Sequence, residues 1–382
     1  MGEGADPEPI PLAQPVIGAR EQELVTAALR SGQLSLGPRL GEFERRFREW
    51  LGAPHALAVS SGTAGLHLAV RAAGIGAGDE VVTSPLSFVA SANALLYEGA
   101  VPVFCDLDPV TLNLDPEAAG AALGERTAGL LPVHIFGYPA DLEAFERLAA
   151  GNGLAIVEDA CEALGGVHAD GTRVGARGHP AVFGFYPNKQ LTTGEGGMVA
   201  CGEGSVAEQI ASERNQGRAA DMGWLDHERL GFNYRLSELA CALGIAQLER
   251  LDAMLADRAR VAGWYGERLA GIEGLGLPCP DRGAERRGWF VYVVQLPAAA
   301  DREAVMARLG ERAVACKPYL PAIHLQPYYR ERFGFRGGEF PVCEDVASRS
   351  LALPFFCALE EVQVDRVCEE LRAALPGGVG GP

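Results

Sequence analysis

The chain has 382 residues, of which 48% are hydrophobic and 22% charged, as is typical of a globular enzyme with room for two domains. Its formal net charge is −17 and no basic stretch occurs, which argues against a nucleic-acid partner because phosphate backbones are bound by clustered cations. The acidic, proline-containing N-terminus lacks the apolar core of a signal peptide and no long apolar run follows, so the sequence predicts a cytoplasmic protein without a membrane span.

Helical and strand-like segments alternate from about residue 20 to residue 250. The predicted strands are Ala56–Ser60, Val81–Ser84, Val101–Asp106, Gly129–Val133, Leu154–Glu158, Ala181–Phe185 and Met198–Cys201. The predicted helices of this region are Gly41–Leu51, Leu66–Ala73 and Phe88–Tyr97. Short apolar strands that alternate with helices predict an α/β fold in which a mostly parallel, mixed sheet lies between layers of helices.

The last third of the chain has a different pattern. The helix-like segment Leu236–Arg268 leads out of the first domain, and the strand-like segment Phe290–Gln295 follows it, with helical patches at Arg302–Leu309 and Glu360–Leu371. This pattern predicts a smaller α+β domain. The expected organisation is a partly flexible N-terminal arm at residues 1–20, a large domain at 21–250, a small domain at 251–376 and a flexible tail at 377–382.

The nine cysteines include no C-x-x-C pair, and several lie in apolar, strand-like runs. This favours buried thiols over disulfides or a metal centre. The seven histidines show no spacing typical of metal ligands, so no metal is expected. Gly74–Gly78 resembles part of a dinucleotide-binding loop, but it follows a helix and precedes a strand, the reverse of the order that such a site needs.

Three segments carry candidate chemistry, and the first is Ser60–Ala64, where a strand ends and a helix begins. The small residues Gly62, Thr63 and Ala64 allow backbone N–H groups to approach an anion, and the helix N-terminus adds partial positive charge. This favours a phosphate site. A plain Ser/Thr helix cap explains the same residues, so the motif alone is only suggestive.

The second segment is Glu158–Glu162, which directly follows an apolar strand. A carboxylate such as Asp159 at the carboxyl end of a strand lies where α/β sheets bind ligands. If Asp159 faces a pyridine nitrogen, its charge keeps that nitrogen protonated. A helix-capping role for Asp159 is the alternative.

The third segment is Gly184–Gly197, with the sequence GFYPNKQLTTGEGG. It places Lys189 between an apolar strand and a glycine-rich turn that can fold tightly around a ligand. A lysine in a turn is usually a solvated charge, but one held in such a place can lose its proton and condense with an aldehyde. The sequence therefore makes Lys189 a candidate nucleophile.

In this order and spacing the three segments resemble the nucleotide-sugar aminotransferases of the DegT/StrS group, within the fold-type-one pyridoxal-phosphate enzymes. The resemblance extends across nearly the whole chain. It includes Pro85–Asn93, Gly231–Glu238, His324–Tyr328 and the pair Leu353-Pro354.

The resemblance implies that pyridoxal 5'-phosphate is the cofactor, that Lys189 is the Schiff-base lysine and that Asp159 is the partner of the pyridine nitrogen. Phe88 would stack on the cofactor ring, where a flat apolar face excludes water. Two positions depart from the common pattern. Many members have Ser at the position of Gly184, where its hydroxyl touches the phosphate, and many have Gln at the position of Glu162, near the phenolic oxygen.

The same resemblance places the backbone N–H groups around Gly62, Thr63 and Ala64 on the cofactor phosphate. Asn233 would reach the phosphate in the neighbouring subunit, which implies a homodimer with shared active sites. Tyr186, Tyr319 and His324 would lie near the substrate.

The activity implied is transfer of an amino group from an amino acid, commonly glutamate and sometimes glutamine, to a nucleotide-linked keto sugar. Such a reaction belongs to the biosynthesis of amino sugars, polysaccharides or glycosylated natural products. Alternatives are an aminotransferase for a keto-cyclitol or another antibiotic precursor, and a non-catalytic regulatory protein on the same fold. A sugar dehydratase on this scaffold has His in place of the lysine, so Lys189 argues against it.

Overall fold

The computed structural model describes residues 8–219 and 226–376, so the predicted tail and the first seven residues of the predicted arm lie outside the described chain. The helices are α1 (Ala19–Ser31), α2 (Pro38–Leu51), α3 (Gly62–Ala72), α4 (Ala90–Tyr97), α5 (Pro116–Ala121), α6 (Leu142–Asn152), α7 (Gly204–Glu213), α8 (Glu238–Leu248), α9 (Leu251–Leu269), α10 (Arg302–Glu311), α11 (Pro327–Phe333), α12 (Pro341–Arg349) and α13 (Glu361–Ala374). The strands are β1 (His55–Val59), β2 (Glu80–Thr83), β3 (Val101–Phe104), β4 (Thr127–Leu131), β5 (Ala155–Ile156), β6 (Glu158–Asp159), β7 (Ala181–Gly184), β8 (Gly197–Cys201), β9 (Tyr292–Gln295), β10 (Lys317–Pro318) and β11 (Ser350–Leu353).

The strands of the large domain form two hydrogen-bonded groups, in the orders β3-β2-β4-β5 and β6-β7-β8-β1. Only Val157 separates β5 from β6, and its N–H donates to Leu130 O at 3.0 Å. Val133 and Asp159 then form a parallel bridge, which makes the two groups continuous. Strand β8 runs antiparallel to both neighbours, whereas the other paired strands are parallel. The prediction of a mostly parallel, mixed sheet is therefore confirmed.

Helices cover both faces of this sheet because successive side chains of a strand point to opposite sides. On β7, Val182 packs in one apolar cluster with Val59 and residues of α3. Its neighbour Phe183 points the other way, into a cluster that contains Phe43 and Phe47 of α2. Strands buried on both faces read as continuous apolar runs, as they do in this sequence.

The C-terminal part of the chain builds a second, antiparallel sheet in the order β10-β11-β9. Its apolar core includes residues of α9, α10 and α13. The N-terminal arm joins this core: Ile10 is buried and forms a parallel bridge with Val314. The arm is therefore anchored at Ile10, by backbone hydrogen bonds as well as by apolar packing.

The stretch predicted as a single helix, Leu236–Arg268, contains two helices. Arg250 leaves helical geometry, with φ −126° and ψ 13°, between α8 and α9. Its guanidinium lies 2.7 Å from Oε1 of the buried Glu21 on α1, an interaction across the fold that a local helical pattern cannot anticipate. Helices α1, α5, α6 and α7 are not among the segments predicted individually.

Within residues 8–219 and 226–376, no helix combines the length and apolar character that crossing a bilayer requires. All nine cysteines are free thiols and most are buried, as their positions in apolar runs predict.

Candidate active site

The three segments singled out in the sequence meet at one edge of the large sheet. Asp159 ends β6, Lys189 follows β7, and α3 begins at Gly62 directly after β1. The carboxyl ends of neighbouring parallel strands lie side by side, which is where open α/β sheets bind their ligands. The topology therefore collects a carboxylate, an amine and a helix N-terminus in one region.

The amine of Lys189 is held between an acid and an aromatic ring. Its side chain is 14% exposed, and Nζ lies 3.7 Å from Glu162 Oε1. The same nitrogen lies 3.7 Å from the centre of the Phe290 ring, a cation–π distance. The backbone is fixed as well, since the Lys189 N–H donates to Tyr186 O at 2.9 Å. The amine thus has fixed neighbours and is largely withdrawn from water.

Arg258 on α9 holds the backbone of both Lys189 and Phe290. It is 3% exposed, and its guanidinium donates to the carbonyls of both Lys189 and Phe290 at 3.1 Å. Burial lowers the pKa of Arg258 from its ordinary value. Neither Arg258 nor Phe290 stood out in the sequence, although Arg258 shares the helical spacing of the buried residues Val261 and Tyr265. An arginine on the apolar face of a helix is the signal that could have identified it.

Asp159 is a buried carboxylate with two hydrogen-bond donors. It is 5% exposed; Oδ2 accepts from Ser91 Oγ at 2.6 Å, and Oδ1 accepts from the Cys161 N–H at 3.1 Å. Ser87 Oγ lies 2.6 Å from Ser91 Oγ and extends this chain of hydroxyls. No α-helix begins after Asp159, because residues 160–166 form turns, so the helix-cap alternative is wrong. In the described ranges no cationic side chain pairs with Asp159, which leaves its charge available to a ligand.

The N-terminus of α3 differs in one respect from the predicted phosphate site. The Ala64 N–H donates to Ser61 Oγ at 3.0 Å, so this amide is already satisfied by the helix cap. Gly62 and Thr63 remain the first-turn residues, whose N–H groups have no partner inside a helix. A Cβ at Gly62 would lie 2.9 Å from Cys161 Sγ, so a larger residue there would displace the Cys161 thiol, and glycine lets α3 start close to the Asp159 segment without such a shift. At Gly184 a Cβ would meet Cys161 Cβ at 3.5 Å, an ordinary contact, so the position has room for a small side chain.

Phe88 precedes α4 and is 62% exposed, so one face of its ring is free to cover a ligand. It lines an open groove of about 750 Å³. The groove is lined mainly by Ser87, Phe88, Tyr97, Leu320, Gln326 and Tyr328. Because Ser87 also belongs to the hydroxyl chain that ends at Asp159, the groove begins next to the buried carboxylate.

Glu162 lies in the same site as Lys189, although the family resemblance left its role open. Its carboxyl group is buried, and Oε2 accepts the Phe136 N–H at 3.0 Å. Burial raises the pKa of Glu162, and the charge of Asp159 acts in the same direction, whereas the Lys189 ammonium opposes the shift.

The turn that presents the Phe136 N–H is backbone-strained. Phe136 has φ 51° and Gly137 has φ 84°, both in the left-handed region. A Cβ at Gly137 would lie 1.9 Å from Gly288 O, a distance that requires the backbone to move. This position thus requires glycine for both conformation and space.

We expect Gly137→Ala to destabilise the chain by more than about 2 kcal/mol, because a left-handed alanine and a backbone clash add together. Chemical denaturation checks the value. Gly151→Ala is the matched control: Gly151 lies in α6 with ordinary φ and open space around its Cβ position, so alanine there should add up to about 1 kcal/mol of stability. Equal effects at the two positions would contradict the assignment.

The three predicted substrate residues are placed differently. Tyr186 is exposed near Lys189. Tyr319 packs against Phe136 and Phe290, with ring centres 5.9 Å and 6.1 Å away, and burial raises its pKa. Tyr319 therefore borders the site.

His324 is fully buried, with Nε2 3.1 Å from Glu344 Oε1 and its ring centre 4.7 Å from that of Phe340. Within the single chain the imidazole of His324 is therefore held by Glu344 and Phe340, and its contact with the substrate stays a prediction.

Asn233 is exposed, and its backbone forms an antiparallel bridge with Asn215. Its side chain lies on the surface of a single chain rather than beside Lys189. Exposure of this kind is what a contribution to a neighbouring subunit requires.

Known proteins resemble this chain over nearly its whole length. The model of the DegT/DnrJ/EryC1/StrS aminotransferase family matches residues 15–372. The spore coat polysaccharide biosynthesis protein SpsC of Bacillus subtilis is 37% identical, with 96% of this chain and 97% of SpsC covered. GDP-perosamine synthase of Caulobacter vibrioides is 34% identical, with 96% of this chain and 98% of that protein covered.

Among solved structures, DesV of S. venezuelae, crystallised in complex with a ketimine intermediate, superimposes with a TM-score of 0.88 at 35% identity. The match covers 93% of this chain and 94% of DesV. The chain belongs to the DegT/DnrJ/EryC1/StrS aminotransferase family and is a pyridoxal-phosphate-dependent aminotransferase of fold type one.

Proposed function

We propose that the enzyme transfers an amino group from an amino acid, with glutamate as the expected donor, to the keto carbon of a nucleotide-linked sugar. The observation that carries the proposal is that the Lys189 amine and the buried Asp159 carboxylate, which has no cationic partner among the described residues, both lie at the carboxyl end of the large sheet. The choice of a nucleotide sugar is supported by the relatives named for polysaccharide biosynthesis and for GDP-perosamine synthesis.

The residues present fit pyridoxal phosphate. Asp159, a buried carboxylate to which residues 8–219 and 226–376 give no counter-ion, suits a protonated pyridine nitrogen, because each charge would otherwise be costly to bury. The amine of Lys189 suits the aldehyde, the first turn of α3 at Gly62 and Thr63 suits the phosphate, and the exposed ring of Phe88 suits the face of the pyridine. When bound, the cofactor supplies an electron sink for the negative charge that develops on the substrate carbon.

The protein residues then have separate tasks. Lys189 Nζ would accept the proton from the substrate carbon as a general base and then give up a proton as a general acid. Asp159 holds the proton on the ring nitrogen, and its own bonds from Ser91 and Cys161 keep the carboxylate oriented. Phe88 excludes water from the ring face.

The groove beside Phe88 supports a substrate larger than an amino acid. Its volume of about 750 Å³ lies within the range of small-molecule sites. Its walls are aromatic and apolar, with polar groups from Asn93 and Gln326, a composition suited to a sugar that carries further groups.

The proposal is tested by incubating the enzyme with glutamate and a panel of nucleotide-linked keto sugars, and measuring 2-oxoglutarate release. We expect turnover with at least one nucleotide sugar and none with the free sugar. Glutamine replaces glutamate in a parallel series to identify the donor, and a keto-cyclitol represents the rival substrate class. Turnover of the keto-cyclitol alone would overturn the nucleotide-sugar assignment while leaving the transaminase intact.

We also propose a homodimer in which Asn233 of each chain completes the phosphate site of its partner. The exposure of Asn233 supports this, and a two-fold axis would complete both sites at once. A cytoplasmic location is supported by the free thiols, since disulfides are rare where thiols are kept reduced.

Mixing two inactive variants, Lys189→Ala and Asn233→Asp, should partly restore activity under conditions that allow subunits to exchange. With shared sites, a mixed dimer has one site with both lesions and one with neither. The activity of the mixture is measured against each variant alone.

Each variant mixed with itself is the control for the exchange procedure, and native mass spectrometry proves that mixed dimers form. If activity does not return although mixed dimers are present, or if a monomer is fully active by sedimentation, Asn233 does not belong to the site.

A further inference from the structure

The second acid of the site, Glu162, occupies an unusual position. Its carboxyl oxygens have different neighbours: Oε2 accepts the Phe136 N–H at 3.0 Å, and Oε1 faces Lys189 Nζ at 3.7 Å. The carboxyl group is withdrawn from water, and the described residues place no other cationic side chain in an ion pair with it. The charge of Glu162 is therefore balanced by the reactive amine alone.

The groups that surround Glu162 on its remaining sides do not stabilise a negative charge without Lys189. The charge of Asp159 and the hydroxyl of Tyr319 lie close enough to interact electrostatically with Glu162, and Cys161 is a half-buried thiol whose pKa is raised by burial. Arg287 reaches only the far side of the Phe136 peptide, where its Nη1 donates to the carbonyl at 3.2 Å.

We propose that Glu162 stores the proton of Lys189: it is ionised opposite the Lys189 ammonium and becomes a neutral carboxylic acid when that amine gives up its charge. The inference rests on the proposed role of Lys189 as the reactive amine. A buried carboxylate that loses its only counter-ion gains a proton, because an isolated charge is poorly solvated in the interior.

The transfer needs no external reagent. One N–H bond of the Lys189 ammonium breaks and one O–H bond forms on Glu162, so an ammonium and a carboxylate become an amine and a carboxylic acid. The total charge and the number of protons are unchanged. The neutral amine has a free lone pair, which it needs both to attack a carbonyl carbon and to take a proton from a substrate carbon. A glutamine at this position could hydrogen-bond the amine but could not hold the proton.

The chain offers a clear way to observe this pair, because Lys189 and Lys317 are its only lysines. Lys317 lies on the exposed strand β10 and serves as an internal reference. Trace acetylation of the cofactor-free, full-length protein at a series of pH values, followed by peptide mass spectrometry, reports the deprotonation of each amine separately.

Without the carboxylate, the ammonium of Lys189 is less stable. We therefore expect the inflection of Lys189 labelling in Glu162→Gln to move to lower pH by about one pH unit or more, which is about a tenfold gain in labelling near neutral pH. Lys317 should not change. Glu117→Gln, which removes an exposed carboxylate on α5, is the matched control and should leave both lysines as in the wild type. An unchanged Lys189 inflection in Glu162→Gln would overturn the proposal.

A second measurement reads the acid directly. Infrared spectra of cofactor-free Lys189→Met should show the carbonyl stretch of a protonated carboxylic acid at neutral pH, and Lys189→Met/Glu162→Gln should lack it. Lys189→Gln replaces Lys189→Met if the latter does not fold. If the spectrum shows that Glu162 remains ionised without Lys189, then Glu162 serves only as a counter-charge for the ammonium, and the proposal of proton storage is overturned. Neither measurement uses a sugar or a cofactor. Failure of the nucleotide-sugar proposal would therefore leave these results unchanged, and failure of the proton-storage proposal would leave the sugar assay unchanged.

Discussion

Replacing Lys189 with alanine is expected to abolish transamination. The substitution removes the only amine of the site, and with it both the attachment of the cofactor and the group that moves the proton at the substrate carbon. The absorbance that arises when the cofactor is bonded to Lys189 should disappear. The fold should be retained, because the Lys189 backbone bonds to Tyr186 and Arg258 do not involve the side chain. Turnover, absorbance and circular dichroism check these three points.

Lys317→Ala is the matched control, since it removes the other lysine of the chain from an exposed strand. Its turnover should equal that of the wild type. Normal turnover in Lys189→Ala would remove the central residue of the proposed mechanism.

Replacing Asp159 with asparagine is expected to leave the cofactor bound and to lower the rate by about a hundredfold to a thousandfold, which is about 3–4 kcal/mol of transition-state stabilisation. The amide keeps the shape and can still accept one of the present hydrogen bonds, but it has no charge to hold a proton on the ring nitrogen. Cofactor content and steady-state turnover separate these two effects.

Ser91→Ala provides a graded comparison, because it removes the 2.6 Å hydrogen bond to Asp159 Oδ2 while keeping the charge. It should cost roughly 1–2 kcal/mol, less than the loss of the charge itself. A near-normal rate in Asp159→Asn, or a larger loss in Ser91→Ala, would show that the charge of Asp159 is not what the reaction needs.

Local sequence was most informative where a strand is buried on both faces. Ala181–Phe185 was predicted from its apolar run and is observed as β7, Ala181–Gly184, because any residue order that buries both faces must be apolar throughout. The break in Leu236–Arg268 was missed; at this break Arg250 contacts Glu21, more than two hundred residues away in the chain. The hydrophobic periodicity of a segment does not reveal contacts with residues so far away in the chain.

For the site, the motifs around Lys189 and Asp159 could be placed from sequence because each follows directly from a strand, and strand ends converge in a parallel sheet. The neighbours of Lys189 Nζ could not be predicted from the sequence. Phe290 belongs to the segment before β9, and Arg258 to α9, so only the folded chain brings them to the amine. The surroundings of His324 likewise depend on tertiary packing, which places its ring beside Phe340.

By itself the sequence determined the α/β class and the order of the strands along the chain, and it supplied Lys189 and Asp159 as candidates for the amine and the acid, because these depend on local hydrophobic patterns and on residue types at strand ends. Only the tertiary structure decided that Glu162 faces Lys189 at 3.7 Å and that Asp159 has no cationic partner among the described residues. The protonation of buried groups depends on their distances to other charges and on their separation from water, and both are set by contacts between distant segments.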